Sequence, residues 1–186
     1  MRDISDELIR KAQAGDIEAF EGIYRHYSPG VYLAALKIMH NEADAQDVTQ
    51  EVFITLFHKL ENFRFESALK TWVYRIAINT ALNMRKKQMK LESPQVEFIE
   101  ELAVGTNESE VNIQADKDYN LRIVAFLLDK LNAEQKACLV LRSIEGFSYE
   151  EIAETLNINI NTVRSRIRRA RQTLLSLKKE VMANEL

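Results

Sequence analysis

Five arginines fall within eight residues near the end of this 186-residue chain: Arg164, Arg166, Arg168, Arg169 and Arg171. A guanidinium is always charged and presents a rigid fork of donors, so it fits phosphate oxygens or the O6 and N7 edge of guanine. Residues 164–179 add Lys178 and Lys179 and contain no acid, a local charge of +7. The chemistry of such a cluster is recognition of nucleic acid. To read bases as well as hold phosphates, the arginines must share one face of a helix that a second element sets against the groove.

The chain supplies both elements. Ser148 and Glu151 have capping-box spacing, in which hydroxyl and carboxylate each satisfy an orphan backbone donor, and this predicts a helix over 149–156. Ile152, Ala153 and Leu156 give it an apolar stripe, and Asn157 suits its end because Asn tolerates the left-handed conformation. Asn161 or Thr162 then caps a second helix over 162–179. On that helix Val163, Ile167, Ala170 and Leu174 recur at helical spacing and face inward. Asn161, Arg164, Ser165, Arg168, Arg169 and Gln172 share the opposite face, with Arg166 and Arg171 at its flanks. The pattern is a helix-turn-helix whose second helix enters the major groove.

The net charge of −3 looks wrong for such a protein until it is divided along the chain. Residues 1–90 sum to +1, residues 91–118 to −7 and residues 119–186 to +3. Within the first block, positions 64–90 carry seven Lys or Arg against Glu66 alone. Two basic surfaces therefore flank an acidic connector.

Other function classes fall away. No apolar run approaches the roughly 20 residues that cross a bilayer. The first residues, with Asp3, Asp6 and Glu7, lack the basic start and apolar stretch of a signal peptide, so the expectation is a cytoplasmic protein with no stable membrane insertion. The single cysteine, Cys138, excludes an internal disulfide and a cysteine metal cluster and reads as a small core residue. His26, His40 and His58 have no ligand or triad spacing, and no glycine loop could cradle a phosphate. No enzyme, metal or cofactor is expected.

Periodicity reads as helix throughout, over 6–14, 16–27, 29–40, 42–61, 67–90, 117–131, 133–145, 149–156 and 162–179. Asp16, Ser28 before Pro29, Asn41, Ser67 and Asn132 suit N-caps. Between Leu91 and Asp116 the period fails and the composition turns acidic and polar. The expected architecture is all-α: two small helical domains, 1–90 and 119–186, joined by a flexible acidic linker over 91–118. A flexible linker of that length reaches roughly 30 Å, comparable to one turn of DNA.

The amino-terminal half holds three further features. Over 42–61, Val48, Val52, Leu56 and Leu60 face inward, while Asp44, Asp47 and Glu51 form an acidic stripe that is either ordinary solvated charge or a surface for a basic partner. Phe63 and Phe65 flank Arg64 in the following loop, an aromatic and cationic pairing that suits single-stranded nucleic acid, although at least one ring is expected in the core. The next helix can expose Arg75, Asn79, Asn83, Lys86 and Lys87 while Trp72, Ile76 and Ala77 pack inside.

Asp44-Ala-Gln-Asp-Val-Thr-Gln-Glu-Val-Phe53, the segment from Phe63 to Asn79, and Ser148-Tyr-Glu-Glu-Ile-Ala to Thr162-Val-Arg-Ser-Arg-Ile-Arg-Arg-Ala-Arg171 together resemble the extracytoplasmic-function sigma factors of bacterial RNA polymerase. Three motifs in the family's order, spanning nearly the whole chain, are more specific than any one. The resemblance implies a region 2-like domain, a region 4-like helix-turn-helix domain and a linker that threads toward the RNA exit path. It implies that Asp44, Asp47, Gln50 and Glu51 dock on the polymerase β′ subunit. Phe63, Arg64, Arg75, Asn79, Asn83, Arg85 and Lys86 would engage the minus ten strand, Phe63 and Asn79 capturing a flipped base. Thr162, Arg164, Ser165, Arg166, Arg168 and Arg169 would serve the minus thirty-five element. Implied partners are core RNA polymerase through β′ and β, promoter DNA, and an anti-sigma factor that could hold the chain at the membrane. The family often has Gly where Phe65 stands and Asp where Asn83 stands, so promoter sequence does not transfer. The competing reading is a stand-alone helix-turn-helix regulator, which would bind duplex DNA tightly by itself.

Overall fold

A computed structural model describes residues 4–91, 127–128 and 130–184. The described residues form seven α-helices: α1 (Asp6–Gln13), α2 (Ile17–Met39), α3 (Glu42–Lys59), α4 (Leu69–Leu91), α5 (Ala133–Ser143), α6 (Tyr149–Leu156) and α7 (Ile160–Asn184), with a 3-10 turn over Leu60–Asn62. Polar caps set most of the starts. Asp16 accepts from the Ala19 amide at 3.0 Å and Asn41 from Asp44 at 3.0 Å. Asn132 with Gln135, and Ser148 with Glu151, form full capping boxes. Asn157 ends α6 with a left-handed backbone, φ 52°, and Gly146, φ 72°, turns the chain between α5 and α6.

Three boundaries differ from the sequence reading. The expected break at Ser28-Pro29 is absent, and α2 runs through Pro29 without interruption. An internal proline costs about 3 kcal/mol through the lost hydrogen bond and the ring clash. Ile23, Tyr27, Val31, Ala34, Ala35 and Ile38 are all buried along the one face that crosses it, and each large side chain returns about 1.5–3 kcal/mol. Packing wins. Helix α4 starts at Leu69 rather than at Ser67. Helix α7 starts at Ile160, because Asn159 accepts from the Asn161 amide at 2.8 Å and its carbonyl from Val163. Asn161 and Thr162 therefore lie in the first turn and not at the cap. Of the expected 117–131 helix, residues 127 and 128 are helical and 130–131 form a turn; the rest of it, and the acidic linker after Leu91 up to residue 118, lie outside the described residues.

The amino-terminal half packs α2, α3 and α4 around Val31, Ala35, Val48, Val52, Leu56, Val73, Ala77 and Ile78. The carboxy-terminal half packs α5, α6 and α7 through Leu141, Ile152, Val163 and Ile167. Cys138 is buried, as expected, and burial pushes its thiol up to about 11. The halves do not stand apart. Their buried residues form one cluster, joined where Tyr74 of α4 meets Phe147 with ring centroids 5.3 Å apart. Phe147 is placed by its loop: its amide donates to the Leu141 carbonyl at 3.0 Å, and Arg142 donates to the Phe147 carbonyl at 2.7 Å. Two aromatic surfaces of this size gain too much from leaving water to remain exposed when they can reach each other. Lys136 and His40 also meet across the seam.

Two outcomes follow for the α6 cap. Ser148→Ala should lower the stability of the full chain by about 1 kcal/mol, seen as a lower urea midpoint with unchanged slope. The Glu151 carboxyl is held below its ordinary value, chiefly by the Ser148 backbone donor. A depressed folded pKa adds stability above the unfolded carboxylate range and loses it as pH falls through the folded value. The gap in Tm between the parent and Glu151→Gln should therefore narrow on acidification below about pH 4.

Candidate nucleic-acid and protein interfaces

The outer face of α7 carries the arginine cluster largely as the pattern predicts. Arg164, Arg168, Arg169, Arg171 and Gln172 are exposed, while Val163, Ile167 and Ala170 are buried against α5 and α6. Arg164 donates to the Asn161 side chain at 3.0 Å, which turns its guanidinium toward the start of the helix. Ser165 is half-buried and its hydroxyl donates back to the Thr162 carbonyl at 2.9 Å. Arg166 departs from the expectation. It is half-buried and ion-paired to Glu134 of α5, so its charge fixes α7 against α5 instead of facing outward. At two residues from Arg164 and Arg168 it lies on another side of the helix.

On α3 the stripe Asp44, Asp47, Gln50 and Glu51 stands opposite the buried Val48, Val52 and Leu56, with Asp44 half-buried and the others exposed. Beside it lies a feature that the sequence reading missed: an apolar groove of about 760 Å³ between α2 and α3. Tyr24, Phe53, Ile54 and Phe57 line it, and Gln50 borders both groove and stripe. Phe20 packs edge-on against Phe57 at 5.0 Å and Tyr24 against Phe53 at 4.7 Å. Ile54 is 52% exposed and Phe57 48%, an apolar surface with no cover among the described residues. The signal was present: both fall off the inward Val48, Val52 and Leu56 stripe.

The loop before α4 is tightly organised. Phe63 is buried, with its ring 5.0 Å from both Phe65 and Trp72. The Gln13 amide donates to the carbonyls of Leu60 and Phe63 at 3.0 and 2.8 Å, tying the loop to α1. Phe65 adopts φ 58°, in the left-handed region, and the Arg10 guanidinium lies 4.6 Å from its ring centroid. Arg64 is exposed and borders a cleft of about 370 Å³ shared with Trp72 and Ser67.

Along α4, Asn79, Asn83, Lys86 and Lys87 are exposed and Arg85 is half-buried. Ala77 is buried as expected, whereas Trp72 and Ile76 are only half-buried; Val73, Tyr74, Ile78 and Ala81 fill the core instead. The upper part of the helix meets the other half of the chain. Lys70 donates to the Glu145 carbonyl at 2.8 Å and sits 4.4 Å from the Phe147 ring centroid. Tyr74 shares a short hydrogen bond with the Glu145 carboxylate, and burial followed by this contact raises its hydroxyl pKa. Arg75 donates to the Glu154 carbonyl at 2.8 Å, with the Glu154 carboxylate at 3.7 Å. No group of His, Cys, Asp and Glu suited to a metal ion occurs among the described residues, and no helix there is long and apolar enough to cross a membrane.

A helix-turn-helix with an arginine face, joined to a helical bundle bearing its own basic helix, defines a transcription initiation factor of the sigma-70 type. Residues 23–91 match Sigma-70 region 2 and residues 121–174 match Sigma-70, region 4. The chain is 37% identical over 173 residues to the ECF RNA polymerase sigma-E factor of Haemophilus influenzae, covering 90% of this chain and 91% of that one. It is 35% identical over 175 residues to the RNA polymerase sigma-H factor of Pseudomonas aeruginosa, covering 90% of each. Among solved structures it resembles the Bartonella quintana sigma factor RpoE, in a complex with the anti-sigma factor NepR, with a TM-score of 0.68, 26% identity, and coverage of 88% of this chain and 98% of that one. The chain belongs to the ECF RNA polymerase sigma factors, non-catalytic subunits of transcription initiation.

The strained loop yields a direct test. At φ 58° glycine is relaxed and a residue with a Cβ costs about 1–2 kcal/mol. Phe65→Gly should therefore be about 1 kcal/mol more stable than Phe65→Ala in urea unfolding, the reverse of their usual order.

Proposed function

We propose that this chain brings core RNA polymerase to promoters with two DNA-reading surfaces, and that its amino-terminal half also helps open the duplex. The observation that carries the reading is the exposed arginine face of α7, set on a capped helix-turn-helix and backed by a buried stripe. Thr162, Arg164, Ser165, Arg168 and Arg169 read the minus thirty-five element, with Arg166 supporting them from its ion pair with Glu134. Phe63, Arg64, Arg75, Asn79, Asn83, Arg85 and Lys86 serve the minus ten strand. Phe63 is buried in the loop, so base capture there requires Phe65 or Trp72 to yield. The working division is 1–90 for polymerase binding and minus ten recognition, 91–118 for the linker and 119–186 for minus thirty-five recognition.

Asp44, Asp47, Gln50 and Glu51 dock on the polymerase β′ subunit, and the groove with Ile54 and Phe57 extends that surface. An acidic rim beside an apolar floor fits a helix that is apolar on one side and basic at its edge. An anti-sigma factor is a second partner, supported by the likeness to a sigma factor solved with NepR. The chain works in the cytoplasm, where such a partner could tether it to the membrane.

Purified chain, core polymerase and genomic DNA of the source organism, followed by mapping of transcript 5′ ends, tests the assignment. Discrete starts sharing two upstream motifs, absent without the chain, are expected. Tight duplex binding by the isolated chain with no polymerase association would instead indicate a stand-alone regulator. Within a mapped promoter, Arg164→Ala or Arg169→Ala should cost about 1–3 kcal/mol of discrimination at one upstream base pair, measured by competition between matched and mismatched sites. Phe63→Ala should reduce permanganate-reactive open complex more than duplex retention on the holoenzyme.

A further inference from the structure

Lys70, Tyr74 and Arg75 occupy one side of α4, one turn apart, and each meets an oxygen from the helix-turn-helix half. Lys70 faces the Glu145 carbonyl, Tyr74 the Glu145 carboxylate, and Arg75 both the carbonyl and the carboxylate of Glu154. Anionic oxygens facing Lys and Arg, with an aromatic ring among them, are what a single strand would offer: phosphates for the cations and a base for the ring. Phe147 takes the place of such a base against Tyr74 and Lys70. The match is imperfect, because Arg75 Nε is buried without an acceptor. Asn79, Asn83 and Lys86, farther along the same helix, are exposed.

We infer that the helix-turn-helix half is a competing ligand for the strand-binding side of α4. Glu145, Phe147 and Glu154 hold that side in the free chain, and a single strand binds Lys70 and Arg75 only after they leave. The inference rests on the reading of α4 as a strand path. It also makes the two DNA surfaces interdependent: separation of the halves for upstream reading is the event that uncovers the minus ten path.

Two variants open the seam by different means. Glu145→Gln/Glu154→Gln removes its charges. Gly30→Ala alters no charge, but a Cβ there would collide with the Tyr74 hydroxyl and come within 3.3 Å of the Glu145 carboxylate. Each is made in the full chain with Lys59→Cys and Leu175→Cys carrying a donor and an acceptor dye, the buried Cys138 being inaccessible to label. Affinity for a fluorescein-labelled single-stranded 12-mer of random sequence is measured on the unlabelled counterparts.

Both variants should lower energy transfer and tighten binding about tenfold, since the apparent Kd scales with the inverse of the competent fraction. Arg75→Ala in either background should remove the gain. Glu18→Gln/Glu42→Gln, with the same change in net charge at exposed positions, should leave affinity unchanged; an equal gain there would reduce the effect to net charge and overturn the inference. Unchanged transfer and affinity in both seam variants, with Arg75→Ala still weakening the parent, would overturn the competition while leaving the strand path intact. Lower transfer with no gain in strand affinity would show that α4 is not the strand path, and the inference would fail with that reading.

Discussion

Helix α4 has two neighbours to satisfy at once. Val73, Ala77, Ile78 and Ala81 commit one side of it to α2 and α3, and Tyr74 commits an adjacent side to Phe147 of the other half. With those positions buried, polar residues are left a narrow strip, and Lys70, Arg75, Asn79, Asn83 and Lys86 must share it. The placement of every basic group in the amino-terminal half of α4 follows from that crowding. So does the single buried cluster that joins two halves separated in sequence by an acidic stretch.

The contacts across the seam differ in what they contribute. The Arg75 and Glu154 side chains are 37% and 47% exposed, and ion pairs at that level of solvation are worth at most about 1 kcal/mol. Full burial of a phenylalanine is worth about 1.5–3 kcal/mol. Phe147 therefore supplies most of the hold, while the hydrogen bonds to Glu145 and Glu154 fix register. An association of this kind exchanges readily for another partner that offers an aromatic surface and anionic oxygens, because no deeply buried charge pair has to be dissolved.

Local rules written in the sequence were the legible part. Capping boxes at Asn132 and Ser148, the left-handed Asn157 and the inward stripe Val163, Ile167 and Ala170 each depend on residues within a few positions, and each stands where its spacing placed it. The features that were not legible depend on distant residues. Pro29 stays inside α2 because buried side chains on both sides of it outweigh a broken ladder, and Arg166 turns inward because Glu134 lies on a helix that spacing cannot locate. Tyr74 and Phe147 are ordinary aromatic residues until the halves meet. Phe57 and Ile54 were readable as outward apolar positions, but a lone exposed apolar residue is common, and only the groove shows that they act together.

Gly30 turns that long-range arrangement into something a sequence can display. Glycine within a helix costs about 0.8–1.0 kcal/mol relative to alanine, and the backbone of α2 does not require it there. What excludes a side chain is the Tyr74 hydroxyl from α4 and the Glu145 carboxylate from the loop before α6. The position is thus a steric record of two segments that lie about 44 and 115 residues downstream along the chain. Among relatives, a glycine at this point with tyrosine and an acid at the other two would mark chains able to fold shut in this manner, and a bulky residue would mark those that cannot.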